Sequence, residues 1–153
     1  MSNSDSFLHA QNCLGDLDDA RNVLRAVRDS DDGLVREAAF KYAVIAYCRA
    51  YTTSQGKEGA RRRKLEESYI PDVFRELHQE LLRCRNKLYA HSDRDILDAK
   101  VSVHEYRGKK VPVRIQNVVN PLALMSRIDE IIELTGLTID RIIDVTPVLA
   151  DEI

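Results

Sequence analysis

The stretch between residues 70 and 91 places the tightest limit on how this 153-residue chain can fold. Its apolar residues recur at steps of four and three, which at about 100° per residue gathers them into a stripe roughly 80° wide on one side of a helix. The stripe consists of Ile70, Phe74, Leu77, Leu81, Cys84 and Leu88. Pro71 suits the first helical position because its nitrogen needs no hydrogen-bond partner there. The pattern predicts a helix from Pro71 to about His91 that faces a core, with His78 interpreted as an exposed surface residue on its polar side.

The segments on either side of this helix are also predicted to be helical. Helical spacing of apolar residues predicts a first helix over about 4–29 and a second over about 34–52, which is apolar on nearly every side. A helix of that kind is usually central and buried. After the motif helix, Asn120-Pro121 predicts the start of a fourth helix.

Three further signals complete the predicted order of elements. Gly136 is expected to close the fourth helix, and Thr138 to cap a short fifth helix that Pro147 ends or kinks. Alternating apolar residues on both sides of Arg107-Gly108 predict a small β-hairpin over about 101–115. The predicted fold class is therefore all-α, an up-and-down four- to five-helix bundle with a hairpin insertion. The chain length predicts a single domain, 1–153.

Composition indicates a soluble globular protein, because hydrophobic residues make up 44% of the chain and charged residues 31%. There is no apolar run near 18 residues, so neither a membrane span nor a membrane partner is expected. Cys13, Cys48 and Cys84 form no C-x-x-C pair, which favours free thiols and a cytoplasmic setting. Neither a metal site nor a cofactor is expected, because no cluster of His, Cys, Asp and Glu has a metal-ligand spacing.

The end of the predicted third helix carries the string Arg85-Asn86-Lys-Leu-Tyr-Ala-His91-Ser-Asp. An Arg followed by a polar residue and, five residues further on, a His at the end of a long helix resembles the HEPN superfamily. The resemblance is to its abortive-infection and toxin-like members. It implies an all-α bundle that is usually a homodimer, in which the two motifs form a metal-independent RNA endonuclease site. RNA and an antitoxin or other protein would then be its partners.

The residue types in this string suit RNA cleavage by the RNA's own 2′-hydroxyl. Imidazole exchanges protons near neutral pH, which assigns proton transfer to His91. Guanidinium stays charged and matches phosphate oxygens, which assigns the phosphate to Arg85, while Asn86 has an orienting role. If the helix continues to His91, Arg85 and His91 lie about 120° apart. A joint site then needs either the helix to end near Ala90 or a second copy of the helix facing this one, as a two-fold dimer provides.

Other polar residues are weaker candidates for contact with substrate. Tyr89 and Ser92 lie within the motif string. Arg49, near the end of the second helix, is either a second phosphate-binding group or an arginine whose head group reaches water over a buried stem. The basic run Arg61, Arg62, Arg63 and Lys64 is either an RNA-backbone contact or a solvated loop.

Two non-catalytic interpretations compete with the nuclease. A HEPN-like dimeric helical module could bind a partner protein or a nucleotide without cleaving anything. Alternatively, the polar end of this helix only stabilises the subunit interface of a dimeric bundle. The net charge of −2 gives no overall attraction to nucleic acid, so RNA binding must come from a local basic patch.

Overall fold

The computed structural model describes residues 3–53, 64–89, 99–116 and 121–150. These ranges contain four α-helices and one two-stranded antiparallel sheet. The helices are α1 (Asn3–Arg28), α2 (Gly33–Arg49), α3 (Arg75–Tyr89) and α4 (Ile128–Ala150), and the strands are β1 (Ala99–Tyr106) and β2 (Lys109–Gln116). Short 3₁₀ turns cover Glu67–Tyr69, Asp72–Phe74 and Pro121–Arg127. The predicted helical bundle with a small hairpin is confirmed.

Helix α1 occupies the middle of the bundle. It packs along both α2 and α4, and α3 packs against α2. The shared core draws fully buried side chains from every helix, including Leu17, Leu24, Phe40, Tyr47, Leu81, Leu134 and Ile142. Arg127 ties the start of α4 to α3, because its guanidinium contacts Glu80 at 2.9 Å and Glu130 at 2.8 Å. Asp32 caps the start of α2, because its carboxylate accepts hydrogen bonds from the amides of Leu34 and Val35 at 3.1 Å.

The amphipathic stripe of the motif helix is buried as predicted. Ile70, Phe74, Leu77, Leu81 and Cys84 are all buried. The entry to the helix differs from the prediction, since Pro71 has an extended backbone and precedes a 3₁₀ turn, and α3 proper begins at Arg75. Pro71 is therefore the N-cap residue that precedes the 3₁₀ turn Asp72–Phe74, and it does not occupy the first helical position.

The prediction of separate fourth and fifth helices is wrong. Helix α4 runs unbroken through Gly136 and extends beyond Pro147 to Ala150. Thr138 does not cap a new helix, because its hydroxyl donates to the Leu134 carbonyl one turn earlier at 2.8 Å. Gly136 faces α1, with the Arg21 guanidinium carbon 3.5 Å from the position that a Cβ would take. Packing against α1 outweighs the cost of about 1 kcal/mol for one glycine inside a helix.

Replacing Gly15 with alanine should stabilise the protein. Gly15 lies inside α1, and a Cβ added there meets no heavy atom within 4 Å. The substitution therefore gains helix propensity without a clash, and we expect the free energy of unfolding in urea to rise by about 1 kcal/mol. Gly108→Ala is the opposite control, because Gly108 has a φ of 71° and a side chain there is strained. An unchanged or lower stability for Gly15→Ala would contradict the expectation.

The predicted hairpin is present, and its strands are slightly longer than expected. Its turn is Arg107-Gly108, with φ values of 51° and 71°. Two consecutive residues with positive φ are what a two-residue type I′ hairpin turn requires. Val103 pairs with Pro112 in the register, which is tolerated because each strand of a two-stranded sheet has an open edge.

No helix within the described ranges is both long enough and apolar enough to cross a membrane.

Candidate functional site

The C-terminal half of α3 presents Arg85 and Asn86 side by side. Arg85 is half-buried and Asn86 is exposed, and the helix continues three residues further to Tyr89. The guanidinium Nη1 of Arg85 donates to Oδ1 of Asn86 at 3.0 Å. Neighbours on a helix point about 100° apart, so this bond requires the long arginine side chain to bend toward the amide. The amide thereby holds one side of the guanidinium fork in a defined orientation.

Arg85 lies on the side of α3 that faces the end of α2. The Cys48 thiol of α2 donates to the Leu81 carbonyl of α3 at 3.5 Å, which joins the two helices one turn before Arg85. Burial raises the pKa of Cys48 to about 12, and the positive charge of Arg85 opposes that rise. A thiol with that pKa is protonated at neutral pH, so Cys48 is not a nucleophile here.

Several predicted site residues lie outside the described part of the structure. These are His91, Ser92, Arg61, Arg62 and Arg63. Tyr89 is the last residue of α3, and only its backbone is described. Of the predicted catalytic residues, the structure therefore brings Arg85 and Asn86 together, and His91 follows two residues after the end of the helix in sequence.

Arg49 turns away from α3 and binds α1. Its guanidinium contacts the Asp16 carboxylate at 3.0 Å and the Asp19 carboxylate at 3.3 Å. The same group lies 5.8 Å from the ring centre of Tyr42, whose hydroxyl donates to Asp19. Two carboxylates already neutralise this cation, and a phosphate placed beside them would be repelled. This geometry favours the interpretation of Arg49 as a surface arginine over that of a phosphate-binding group.

The expectation that His78 is exposed is wrong. His78 is 1% exposed, and its Nδ1 lies 2.8 Å from the hydroxyl of Tyr47 on α2. Its ring also meets that of Tyr51 edge-on, with ring centres 4.5 Å apart. His78 is buried because of its angle about the helix axis. Ile70 lies at the centre of the apolar stripe, and His78 follows it by eight residues, which places His78 about 80° away, on the flank of the stripe. That flank is the one that also carries Arg85.

The cluster of His78, Tyr47 and Tyr51 is the polar feature that sequence reasoning missed. The two tyrosines lie four residues apart near the end of α2, a spacing that would have indicated one shared face. His78 Nε2 is buried and has no hydrogen-bond partner among the described residues. Burial lowers the pKa of His78, partly offset by the charge of Glu67, and burial raises the pKa of Tyr47. With almost no exposed surface, this cluster stabilises the α2–α3 contact and is not open to a substrate.

The lowered pKa of His78 makes the fold less stable in mild acid. The unfolded chain takes up a proton near pH 6.5, whereas the folded protein binds it only at lower pH, so acid favours unfolding. We expect stability to fall as the pH drops below about 6.5, with His78 contributing at most about 1.4 kcal/mol per pH unit. Urea unfolding at several pH values measures this. The decline should be shallower in His78→Phe and unchanged in His104→Gln, which alters an exposed histidine. Equal slopes for His78→Phe and the parent would contradict it.

No group of three or more His, Cys, Asp or Glu side chains within the described ranges is placed to hold a metal ion. The three cysteines are buried and form no disulfide with one another. No protein-family model matches the chain, and comparison with curated proteins and with solved structures yields no match. Any assignment of function therefore depends on the residues and their geometry.

Proposed function

We propose that this protein is a HEPN-like, metal-independent RNA endonuclease whose active site forms at a homodimer interface. One observation carries the proposal. The Arg85 guanidinium is oriented by Asn86 near the C-terminal end of a strongly amphipathic helix, in a helical bundle, six residues before His91 in sequence. This is the arrangement that the resemblance to abortive-infection and toxin-like HEPN proteins implies.

The chemistry needs only groups that the motif supplies. His91 removes the proton from a 2′-hydroxyl, and the resulting oxygen attacks the adjacent phosphorus. The bond from phosphorus to the 5′-oxygen breaks, and that oxygen takes up a proton, from the imidazole of the same or the facing subunit. Arg85 neutralises the charge that accumulates on the phosphorane oxygens. The products are a 2′,3′-cyclic phosphate and a 5′-hydroxyl end, and no oxidant or metal enters the balance.

The homodimer is what the resemblance implies, and helix geometry is compatible with it. On a helix that continued from Tyr89 to residue 91, Arg85 and His91 would lie about 120° apart, so one subunit would direct them to different places. Two copies related by a two-fold axis bring the Arg85 of each subunit toward the His91 of the other. A protein of this kind acts as a cytoplasmic toxin or in phage defence, and an antitoxin or other partner protein would hold it inactive.

The test is RNA cleavage by the purified protein in excess EDTA. We expect cleavage that leaves cyclic-phosphate or 2′/3′-phosphate ends, because the 2′-hydroxyl is the nucleophile. An RNA in which every 2′-hydroxyl is replaced by 2′-O-methyl should not be cut. If the protein leaves RNA intact, or cuts the 2′-O-methyl RNA equally well, the nuclease proposal is wrong.

A second candidate is a non-catalytic HEPN-like module that binds a partner protein or a nucleotide. The β-hairpin favours it, because apolar side chains on that hairpin remain exposed, as they do on surfaces that bind partners. The two candidates differ in the effect of Arg85→Ala. For a nuclease, the parent cleaves RNA and Arg85→Ala lowers the rate by about 10²- to 10⁴-fold, whereas for a binding module neither protein cleaves RNA. If the helix end serves only a dimer interface, Arg85→Ala shifts the dimer equilibrium, which sizing chromatography over a range of concentrations detects.

A further inference from the structure

The β-hairpin formed by β1 and β2 is exposed on both faces. Alternate residues of a strand point to opposite faces, so Val101 and Val103 lie on one face and Tyr106 lies on the other. Their side chains are 73%, 62% and 63% exposed. On that second face β2 adds Val111 and Val113, which are also exposed. A hairpin normally hides one face, whereas neither face of this one packs extensively on a described helix.

An isolated two-stranded hairpin is marginally stable in water, so an exposed one of eight residues per strand points to a binding partner. The charge of the hairpin indicates which partner. Residues 99–116 contain five Lys and Arg residues and one Glu, which gives this segment a net charge of +4 in a chain whose net charge is −2. Two such hairpins repel each other, which disfavours a contact between the hairpins of two copies of the chain. A polyanion is attracted.

The tip of the hairpin combines an aromatic ring with the basic groups. Tyr106, Arg107, Lys109 and Lys110 surround the Arg107-Gly108 turn, and all four are exposed. The Arg107 guanidinium carbon lies 5.4 Å from the centre of the Tyr106 ring. An exposed tyrosine accepts an unpaired base by stacking, and cations next to it accept the flanking phosphates. A base inside a duplex is not available for such stacking.

We propose that the hairpin tip binds a single-stranded segment of RNA, with a base stacked on Tyr106 and phosphates held by Lys109, which pairs with Tyr106 in the register, and by Arg107 of the turn. The choice of RNA over DNA rests on the proposed function, and the binding surface itself does not. Tyr106 follows His91 by fifteen residues, and fifteen residues of chain reach at most about 54 Å, so an RNA strand bound at the tip must cross no more than that distance to reach His91 of the same subunit.

The experiment measures binding of a fluorescein-labelled 20-nucleotide polyuridine to full-length protein by anisotropy, in a His91→Ala background that prevents cleavage. Removal of two phosphate contacts in Arg107→Gln/Lys109→Gln should reduce the slope of log Kd against log salt by about 1.4. Tyr106→Ala should weaken binding about 5- to 150-fold, and Tyr106→Phe should restore it because the ring is kept. Unlabelled duplex RNA should compete less well than the single strand.

The control removes two exposed positive charges from the helices in Arg25→Gln/Arg75→Gln, which should leave the salt slope unchanged. If the hairpin variants bind like this control, the hairpin proposal is overturned. It is also overturned if the hairpin substitutions leave RNA binding unchanged and alter only the oligomeric state measured by sedimentation, which would make the hairpin a protein interface. Hairpin-dependent binding by a parent that cleaves no RNA supports the hairpin and refutes the nuclease. If the parent cleaves RNA and the hairpin variants bind RNA as tightly as the parent, the nuclease proposal is supported and the hairpin proposal is refuted.

Discussion

Replacing His91 with alanine should lower the rate of RNA cleavage in EDTA by about 10²- to 10⁴-fold, the usual contribution of a positioned general acid or base. Arg85→Ala should lower it by a similar factor, because the guanidinium stabilises charge that exists only in the transition state. Single-turnover rates at saturating RNA measure both effects free of changes in binding. The double variant should be little slower than either single one, since the two groups act on the same step.

Matched controls separate this effect from damage to the fold. His9→Ala makes the same chemical change in α1, and Arg83→Ala removes an exposed arginine two residues before Arg85 on the same helix. Both should cleave RNA at the parent rate. If His91→Ala retains that rate, the activity comes from elsewhere and the assignment of His91 fails.

The cluster of Tyr47, Tyr51 and His78 predicts the largest effect on stability. Tyr47 is the largest of the fully buried side chains, so Tyr47→Ala leaves a cavity and removes the partner of His78 Nδ1. Cavity formation at a buried aromatic residue costs about 3–5 kcal/mol. The unpaired imidazole adds about 1–3 kcal/mol. The sum, about 4–8 kcal/mol, is comparable to the lower part of the stability range of a typical domain, about 5–15 kcal/mol, so we expect a large fall in the urea midpoint and partial unfolding at 25 °C if the parent lies in that lower part.

Tyr47→Phe isolates the hydrogen bond from the volume. It keeps the ring and removes only the hydroxyl, so urea unfolding should show a loss of about 1–3 kcal/mol with an unchanged m-value. Tyr42→Phe removes an exposed hydroxyl from the same helix and should cost less than about 1 kcal/mol. A Tyr47→Phe protein as stable as the parent would show that the buried imidazole has found another partner.

Local sequence determined most of the secondary structure. The stripe of α3 was predictable because its burial needs only a 3.6-residue period, and every stripe residue whose side chain the structure describes is buried as expected. The hairpin was predictable because alternation and a glycine-containing turn are both short-range signals. The errors arose where a local signal competed with packing. Gly136 and Thr138 resemble a helix end in isolation, yet α1 provides enough contact to carry α4 through them.

The sequence on its own also marked Arg85 and Asn86 as a pair, since adjacency in the chain is enough to place them together. The partners of Arg49 and His78 were decided by tertiary structure alone. Whether Arg49 can bind a phosphate depends on Asp16 and Asp19, which lie at least 30 residues earlier in the chain. His78 is buried because Tyr47 of α2 and Tyr51 in the turn that follows α2 cover its flank of α3. Periodicity defines the angle of a side chain about its own helix, but which surface it meets at that angle depends on how helices distant in sequence pack.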